Sequence, residues 1–388
     1  MYTIVTLGPS GAGKTVYLAA LWHMLKLEHP RLKCYLKPES RQQEYKLGQI
    51  YNEVAGPGEW PLPTDGNVFP EWTFSCKVKS QHGTYTALKV RYIDYAGDRL
   101  TDPQSGSTEQ DRLEETLRNA DALLGLLDGR KVLKLMRGNG EFLDRDMTQV
   151  FSLMQDCDGP IHFVITKWDL LAGHYSLRQI RERLMEHPDF AVLATSRSDW
   201  HIRGMPVPPG RMRLIPVSSV GREFAVLGAD GGMHKRANAR PRPLNVDVAF
   251  AAVLPDLVAR AYDAAKADQE RARREARGQW RGWFADFTRV VASTVAAPVS
   301  TVLATRGIQV PVHLIAAFLS SGTGAVANAV NIPPSELRKA RRLQRSFRKR
   351  SVNAVTDDAA AAQFVLHRLV EELQAFERSP ENDGTVLS

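Results

Sequence analysis

Gly8-Pro9-Ser10-Gly11-Ala12-Gly13-Lys14-Thr15 has the spacing G-x-x-x-x-G-K-[ST], between an apolar run ending at Leu7 and a helical pattern beginning Val16-Tyr17-Leu18. Glycines in such a turn let backbone N–H groups converge on phosphate oxygens at the positive end of a helix. Lys14 is then placed to reach the β and γ phosphates, and the Thr15 hydroxyl to ligate Mg2+. Gly8, Ser10, Gly11, Ala12, Gly13, Lys14, Thr15 and Val16 are the expected binding residues at the phosphate end.

The base is read elsewhere. Ile161-His162-Phe163-Val164-Ile165 is a buried-strand pattern, and Thr166-Lys167-Trp168-Asp169 at its carboxyl end matches [NT]-K-x-D. An aspartate there accepts two hydrogen bonds from guanine N1 and N2. Adenine offers no such donors and leaves the carboxylate unpaired, which is costly. Downstream, Leu214-Ile215-Pro216-Val217 leads to Ser218-Ser219, a short loop that can close over guanine O6. Thr166, Lys167, Asp169, Ser218 and Ser219 are the expected residues at the base end. Between the two lies Asp94-Tyr95-Ala96-Gly97, a D-x-x-G after the apolar strand Leu88 to Ile93. Asp94 is expected to hold magnesium through water, and the Gly97 N–H to sense the γ phosphate. All four motifs stand at the carboxyl ends of strands, where open α/β sheets bind ligands.

On these motifs residues 1 to 225 resemble the P-loop GTPases of the translation-factor and Ras-like class. The resemblance implies GTP and GDP as ligands, Mg2+ as cofactor, GTP hydrolysis, and a first-switch threonine touching magnesium and the γ phosphate. Thr64, in Trp60-Pro61-Leu62-Pro63-Thr64-Asp65-Gly66, is the choice for it, with Thr73, inside a strand pattern, as the alternative. Lys14, Thr64, Gly97 and Asp98 form the expected catalytic set. Asp98 stands where Ras-like proteins usually place a water-positioning glutamine, which implies slow intrinsic hydrolysis, quickened by Arg99 or by an arginine from a partner. Ser10, at the third loop position, narrows any such approach. The loop with Tyr17-Leu18-Ala19-Ala20-Leu21, the Pro-rich first switch and Pro243-Leu244-Asn245-Val246 are similar to the double-GTPase families of predicted bacterial conflict systems, which implies a part in defence signalling.

The elements that must position these residues alternate short β-branched runs with helical patterns, the signature of an α/β fold with a mostly parallel sheet. Strands are expected at Thr3–Leu7, Asn67–Lys79, Thr84–Asp94, Ala122–Leu127, Ile161–Thr166 and Arg211–Val217. The second and third are separated only by Ser80 to Gly83, so they should pair as an antiparallel hairpin. Helices are expected after Lys14 and at Gln42–Val54, Thr108–Asn119, Asp146–Gln155 and Ser176–Glu186. Gly and Pro accumulate toward Pro243, giving an expected GTPase domain over 1–228, a linker over 229–244 and an all-α domain over 245–388 that ends in an amphipathic helix at Asp358–Phe376.

The chain has 388 residues, 43% hydrophobic and 24% charged, a globular composition that excludes disorder and coiled coil for the bulk. Three scattered cysteines exclude a disulfide framework or a zinc site. The dispersed histidines hold no paired-ligand spacing, and His162, inside an apolar strand, reads as a core residue. No secretory signal precedes the first strand, so a cytoplasmic protein is expected. The net charge of +8 is concentrated late, with eight basic residues and no acid from Arg338 to Arg350. That cluster reads first as a solvated helix face, and the low-charge runs over 290–305 and 307–335 first as a buried helical hairpin; the second reading, with Trp280 and Trp283, is a peripheral contact of residues 280–350 with the inner face of a membrane. Nucleic acid is not expected as the primary partner. Three functions remain in view: a GTP-hydrolysing switch whose nucleotide state repositions the helical region for a protein partner or activator, a nucleotide-regulated membrane scaffold, and a GTP-binding interaction module with little hydrolysis.

Overall fold

The computed structural model describes residues 1–62, 70–95, 115–117, 119–155, 157, 159–196, 212–253 and 352–387. Expectations that fall on Thr64, Gly97, Asp98 and Arg99, on most of the helix at 108–119, and on residues 254–351 with the tryptophans and the basic cluster, lie outside them.

Among the described residues a seven-stranded sheet runs in the order β2-β3-β4-β1-β5-β6-β7. Its strands are β1 Tyr2–Leu7, β2 Tyr35–Pro38, β3 Glu71–Ser80, β4 Gly83–Asp94, β5 Ala122–Asp128, β6 Ile161–Thr166 and β7 Arg213–Pro216. Every neighbour pair from β4 to β7 is parallel, while β3 runs against both β2 and β4. This is the mostly parallel α/β fold expected from the sequence, with the β3–β4 hairpin where it was expected. β2 escaped the reading because Tyr-Leu-Lys-Pro is too short to show a period and ends in proline, which only an edge strand tolerates.

Alternation along the strands divides the core into two faces. Tyr2 and Ile4 of β1, Leu124 and Leu126 of β5, and Ile215 of β7 belong to one cluster; Val5, Leu7, Leu123, Leu127 and Leu214 belong to the other. The first face is covered by α1 (Lys14–Leu25) and α2 (Arg41–Ala55), and the second by α3 (Gly129–Met136), α4 (Thr148–Gln155), α5 (Leu177–Met185) and α6 (Pro188–Ser196). α4 is entered through a π-helical turn at Leu143–Met147. A capping box of Ser176 and Gln179 starts α5, within one residue of the expected boundary. α3 and α6 are not among the helices expected from the sequence because each has only eight or nine residues, barely two helical periods.

Residues 229–244, expected as a linker, include the strand β9 (Met233–Lys235), which pairs with β8 (Ala225–Leu227). The helical residues 246–253 and the last helix, α7 (Asp358–Arg378), were expected in a separate domain, yet both contribute to the first face of the sheet's own core, with Phe250, Val253, Phe364, Leu369 and Leu373 buried there. Asp358 Oδ1 accepts from the Thr86 N–H at 2.9 Å, and Ser80 Oγ donates to the Val355 carbonyl at 2.8 Å, which fastens α7 to the β3–β4 hairpin. After α7 the tail returns along β7, with Leu214 N–H donating to the Thr385 carbonyl and Leu387 N–H to the Met212 carbonyl.

Candidate functional site

β1 delivers the glycine loop directly to α1. Gly8 must be glycine because a Cβ there would stand 2.7 Å from the Leu126 carbonyl oxygen of the neighbouring strand. Gly13, at φ +86°, is the N-cap of α1 and offers no side chain, so the first-turn N–H groups of a twelve-residue helix face the loop without a side-chain cap. Lys14 is nearly buried, and its Nζ donates to the carbonyls of Gly8 (2.8 Å) and Pro9 (3.2 Å).

The strand end β4 brings Asp94 to the same place. Thr15 Oγ1 donates to Asp94 Oδ2 at 2.8 Å, and the other carboxylate oxygen is buried and accepts no hydrogen bond from the described residues. Burial pushes the Asp94 carboxyl above the ordinary range, against the pull of Lys14 and of the Thr15 hydroxyl. A hydroxyl and a carboxylate with an unsatisfied oxygen, beside a cationic loop, form a hard oxygen donor set that suits Mg2+ completed by phosphate and water. No group of three His, Cys, Asp or Glu that could hold a metal occurs among the described residues.

The end of β6 reaches the loop from the other side. Thr166 Oγ1 donates to the Ala12 carbonyl at 2.7 Å and to the Leu127 carbonyl at 3.2 Å, so the threonine is a strut between loop and sheet. Lys167, in a left-handed conformation at φ +51°, donates to the Gly11 carbonyl at 2.7 Å and pairs with Asp128 at 2.8 Å. Asp128 is fully buried at the end of β5 and also accepts from Arg130 through N–H, Nε and NH2. Burial alone would raise its pKa, but Lys167 and Arg130 outweigh that and hold it below the carboxylate range. Burial in turn draws Lys167 below the ordinary lysine range, against the pull of Asp128. Asp169 Oδ1 accepts from Ser218 Oγ at 2.6 Å, and Ser218 Oγ accepts from the Gly221 N–H at 2.8 Å. Burial raises the Asp169 carboxyl, opposed first by that serine hydroxyl.

One cavity of about 290 Å3 joins these parts. Its lining includes Ser10, Gly11, Gly13, Lys14, Thr15 and Val16 of the loop and α1, Asp94 of β4, Thr166, Lys167 and Asp169 after β6, and Ser219 after β7. Gly8, Ala12 and Ser218 are not in the lining but bond to residues that are: the Gly8 carbonyl accepts from Lys14, the Ala12 carbonyl from Thr166, and the Ser218 hydroxyl donates to Asp169. Thr73 is built into β3 opposite Arg91, outside the cleft lining. His162 is fully buried inside β6, as expected.

Two lining features were missed from sequence. Arg130 follows Asp128 at the carboxyl end of β5, so the positional rule that found Asp94 and Asp169 also points to this end. Trp60 enters from the segment after α2, and its Nε1 donates to the Met233 carbonyl of β9. Lys235 fixes that crossing: it donates to the carbonyls of Gly56 and Glu59, at 3.1 and 3.0 Å, and lies 5.0 Å from the Trp60 ring centre.

No protein-family model matches the chain, and no curated protein does. Among solved structures, similarity extends to the SsGBP and GDP complex, at 15% identity over 57% of this chain and 45% of that one, with a TM-score of 0.28. This chain therefore spans less than half the length of that relative. Two others are the signal recognition particle receptor SRb-GTP/SRX complex from Chaetomium thermophilum (17% identity, 57% and 92% covered, TM-score 0.32) and the Arl6 BBS3 small GTPase from Trypanosoma brucei with bound nucleotide analogue GppNp (14%, 56% and 87%, TM-score 0.26). With TM-scores this low, the meaning of the site rests on its own geometry. No helix among the described residues is long and apolar enough to cross a membrane.

Proposed function

We propose that this protein binds GTP and GDP with Mg2+ in the cleft above the glycine loop and hydrolyses GTP slowly, as a molecular switch. The observation that carries the reading is that Lys14, Thr15, Asp94, Asp169 and Ser219 all line one cavity, although these residues come from four separate stretches of chain. The uncapped start of α1 and the loop N–H groups suit a phosphate chain. Lys14 adds a cation that leaves the loop carbonyls for the β and γ phosphates. Thr15 and Asp94 are the direct and water-mediated holders of magnesium, which when bound would neutralise phosphate charge. Asp169 receives the guanine N1 and N2 hydrogens, with Ser218 orienting its carboxylate and Ser219 closing the O6 side. Thr64, Gly97 and Asp98 complete the switch and catalytic set. The outcome of nucleotide exchange is a change of contact with a protein partner, and a role in bacterial defence signalling belongs to the same proposal.

Competition against a fluorescent GDP in the presence of magnesium tests the reading. GTP and GDP should displace the probe and ATP should not, while Lys14→Ala should abolish probe binding. Equal displacement by ATP and GTP overturns the base assignment, and a Lys14→Ala protein that binds normally overturns the site.

A further inference from the structure

We propose that Arg130 is a phosphate-contacting arginine built into the nucleotide cleft, supplied in cis from the first turn of α3. The inference rests on the guanine nucleotide reading of the cleft and deepens it. Arg130 lines the same cavity as Ser10, Gly11 and Lys14. Its NH2 lies 3.4 Å from the point where a Cβ on Gly11 would stand, so the guanidinium rests against the phosphate loop itself. An arginine finger from a partner would have to pass Ser10; Arg130 is already inside.

The guanidinium is oriented by the protein's own acceptors. Nε and NH2 donate to Asp128 Oδ2 at 3.2 and 2.9 Å, and NH1 donates to the Gly231 carbonyl in the β8–β9 turn at 3.4 Å. An arginine carries five N–H donors, and these bonds engage three, leaving a second hydrogen on NH1 and on NH2. Charge makes the same point. Asp128 is already matched by Lys167 at 2.8 Å, so the cluster Asp128, Lys167 and Arg130 carries one positive charge more than its buried carboxylate needs. That surplus stands at the rim of a cleft whose proposed ligand is a polyanion. A preoriented donor of this kind costs little reorganisation when charge develops.

In the reaction, the oxygen of a water molecule bonds to the γ phosphorus while the bond from γ phosphorus to the β–γ bridging oxygen breaks. The bridging oxygen leaves with GDP, and the water proton ends on the phosphate product. Arg130 exchanges no proton; it donates hydrogen bonds to the phosphate chain, and these strengthen as negative charge moves onto the leaving oxygen.

Arg130→Ala and Arg130→Lys in the full chain test this, read by GDP affinity, by the affinity for GDP with aluminium fluoride and magnesium, a planar mimic of the transferring phosphoryl group, and by single-turnover phosphate release. Lysine retains the ion pair with Asp128 and so keeps the structural bond. The expected result for Arg130→Lys is GDP affinity within about threefold of wild type, with the fluoride complex and the turnover rate each reduced roughly tenfold or more; Arg130→Ala should lose about 10² to 10³. Arg130→Lys with wild-type fluoride affinity and rate, or with GDP and fluoride affinities lost in equal proportion, overturns the assignment. A wild type that binds no GDP removes the nucleotide reading and this inference together. A wild type that binds GDP alongside an indifferent Arg130→Lys removes this inference alone.

Discussion

At the scale of single residues, the chemistry concentrates in carboxylates with unequal tasks. Asp94 keeps a buried oxygen free of described hydrogen bonds, Asp128 is saturated by two cations, and Asp169 spends one oxygen on Ser218. The first and third keep acceptor capacity that the second has used up, a distinction that residue type alone does not reveal. Asp169 gives the sharpest expectation. Asp169→Asn exchanges one acceptor for a donor, so GTP affinity should fall roughly 10²-fold or more and xanthosine triphosphate should become the better ligand. Competition between the two triphosphates checks this; an unchanged order of preference would place base recognition elsewhere.

At the scale of elements, strand ends and helix starts form the site, and Asp128 shows how tightly they are joined. It closes β5, caps α3 through the Arg130 N–H, and holds Lys167 from the end of β6. Its folded pKa is depressed, so its contribution to stability is full above the unfolded carboxylate value of about 4 and is lost as pH falls through the lower folded value. Asp128→Asn keeps a capping side chain but leaves two cations unpaired, which should cost about 3 kcal/mol at pH 7. The gap to wild type should narrow on acidification below pH ~4. Urea unfolding at pH 7, 5 and 3 measures it, and a gap independent of pH would show that the Asp128 charge is not what stabilises this junction.

At the scale of the whole molecule, the end of the chain is part of the sheet domain. Phe364 on α7 is fully buried in the cluster that holds Tyr2, Val90 and Leu124, and the Arg213 guanidinium, fully buried at β7, donates to Glu377 at 2.8 Å. Phe364→Ala should therefore destabilise the whole sheet domain by about 3–5 kcal/mol, the usual cost of an aromatic cavity. Denaturant unfolding with and without GDP reads it, and a loss confined to below about 1 kcal/mol would mean that α7 folds apart from the sheet. α7 packs across β4, whose end carries Asp94.

What the sequence by itself determined are the features written in consecutive residues: the glycine loop, the D-x-x-G and Thr-Lys-Trp-Asp motifs at their strand ends, and the β3–β4 hairpin. They are legible because loop chemistry and strand period are local properties. What only the tertiary structure decided depends on residues far apart in the chain. The bond from Thr166 to the Ala12 carbonyl spans 154 positions, and the one from Thr86 to Asp358 spans 272. Arg130 at the glycine loop, Trp60 bonded to β9, and α7 on the sheet carry no local mark, since an arginine after a strand, a tryptophan before prolines and an amphipathic helix each fit many places. Their roles come from packing free energy summed over the whole fold, and no window of sequence contains that sum.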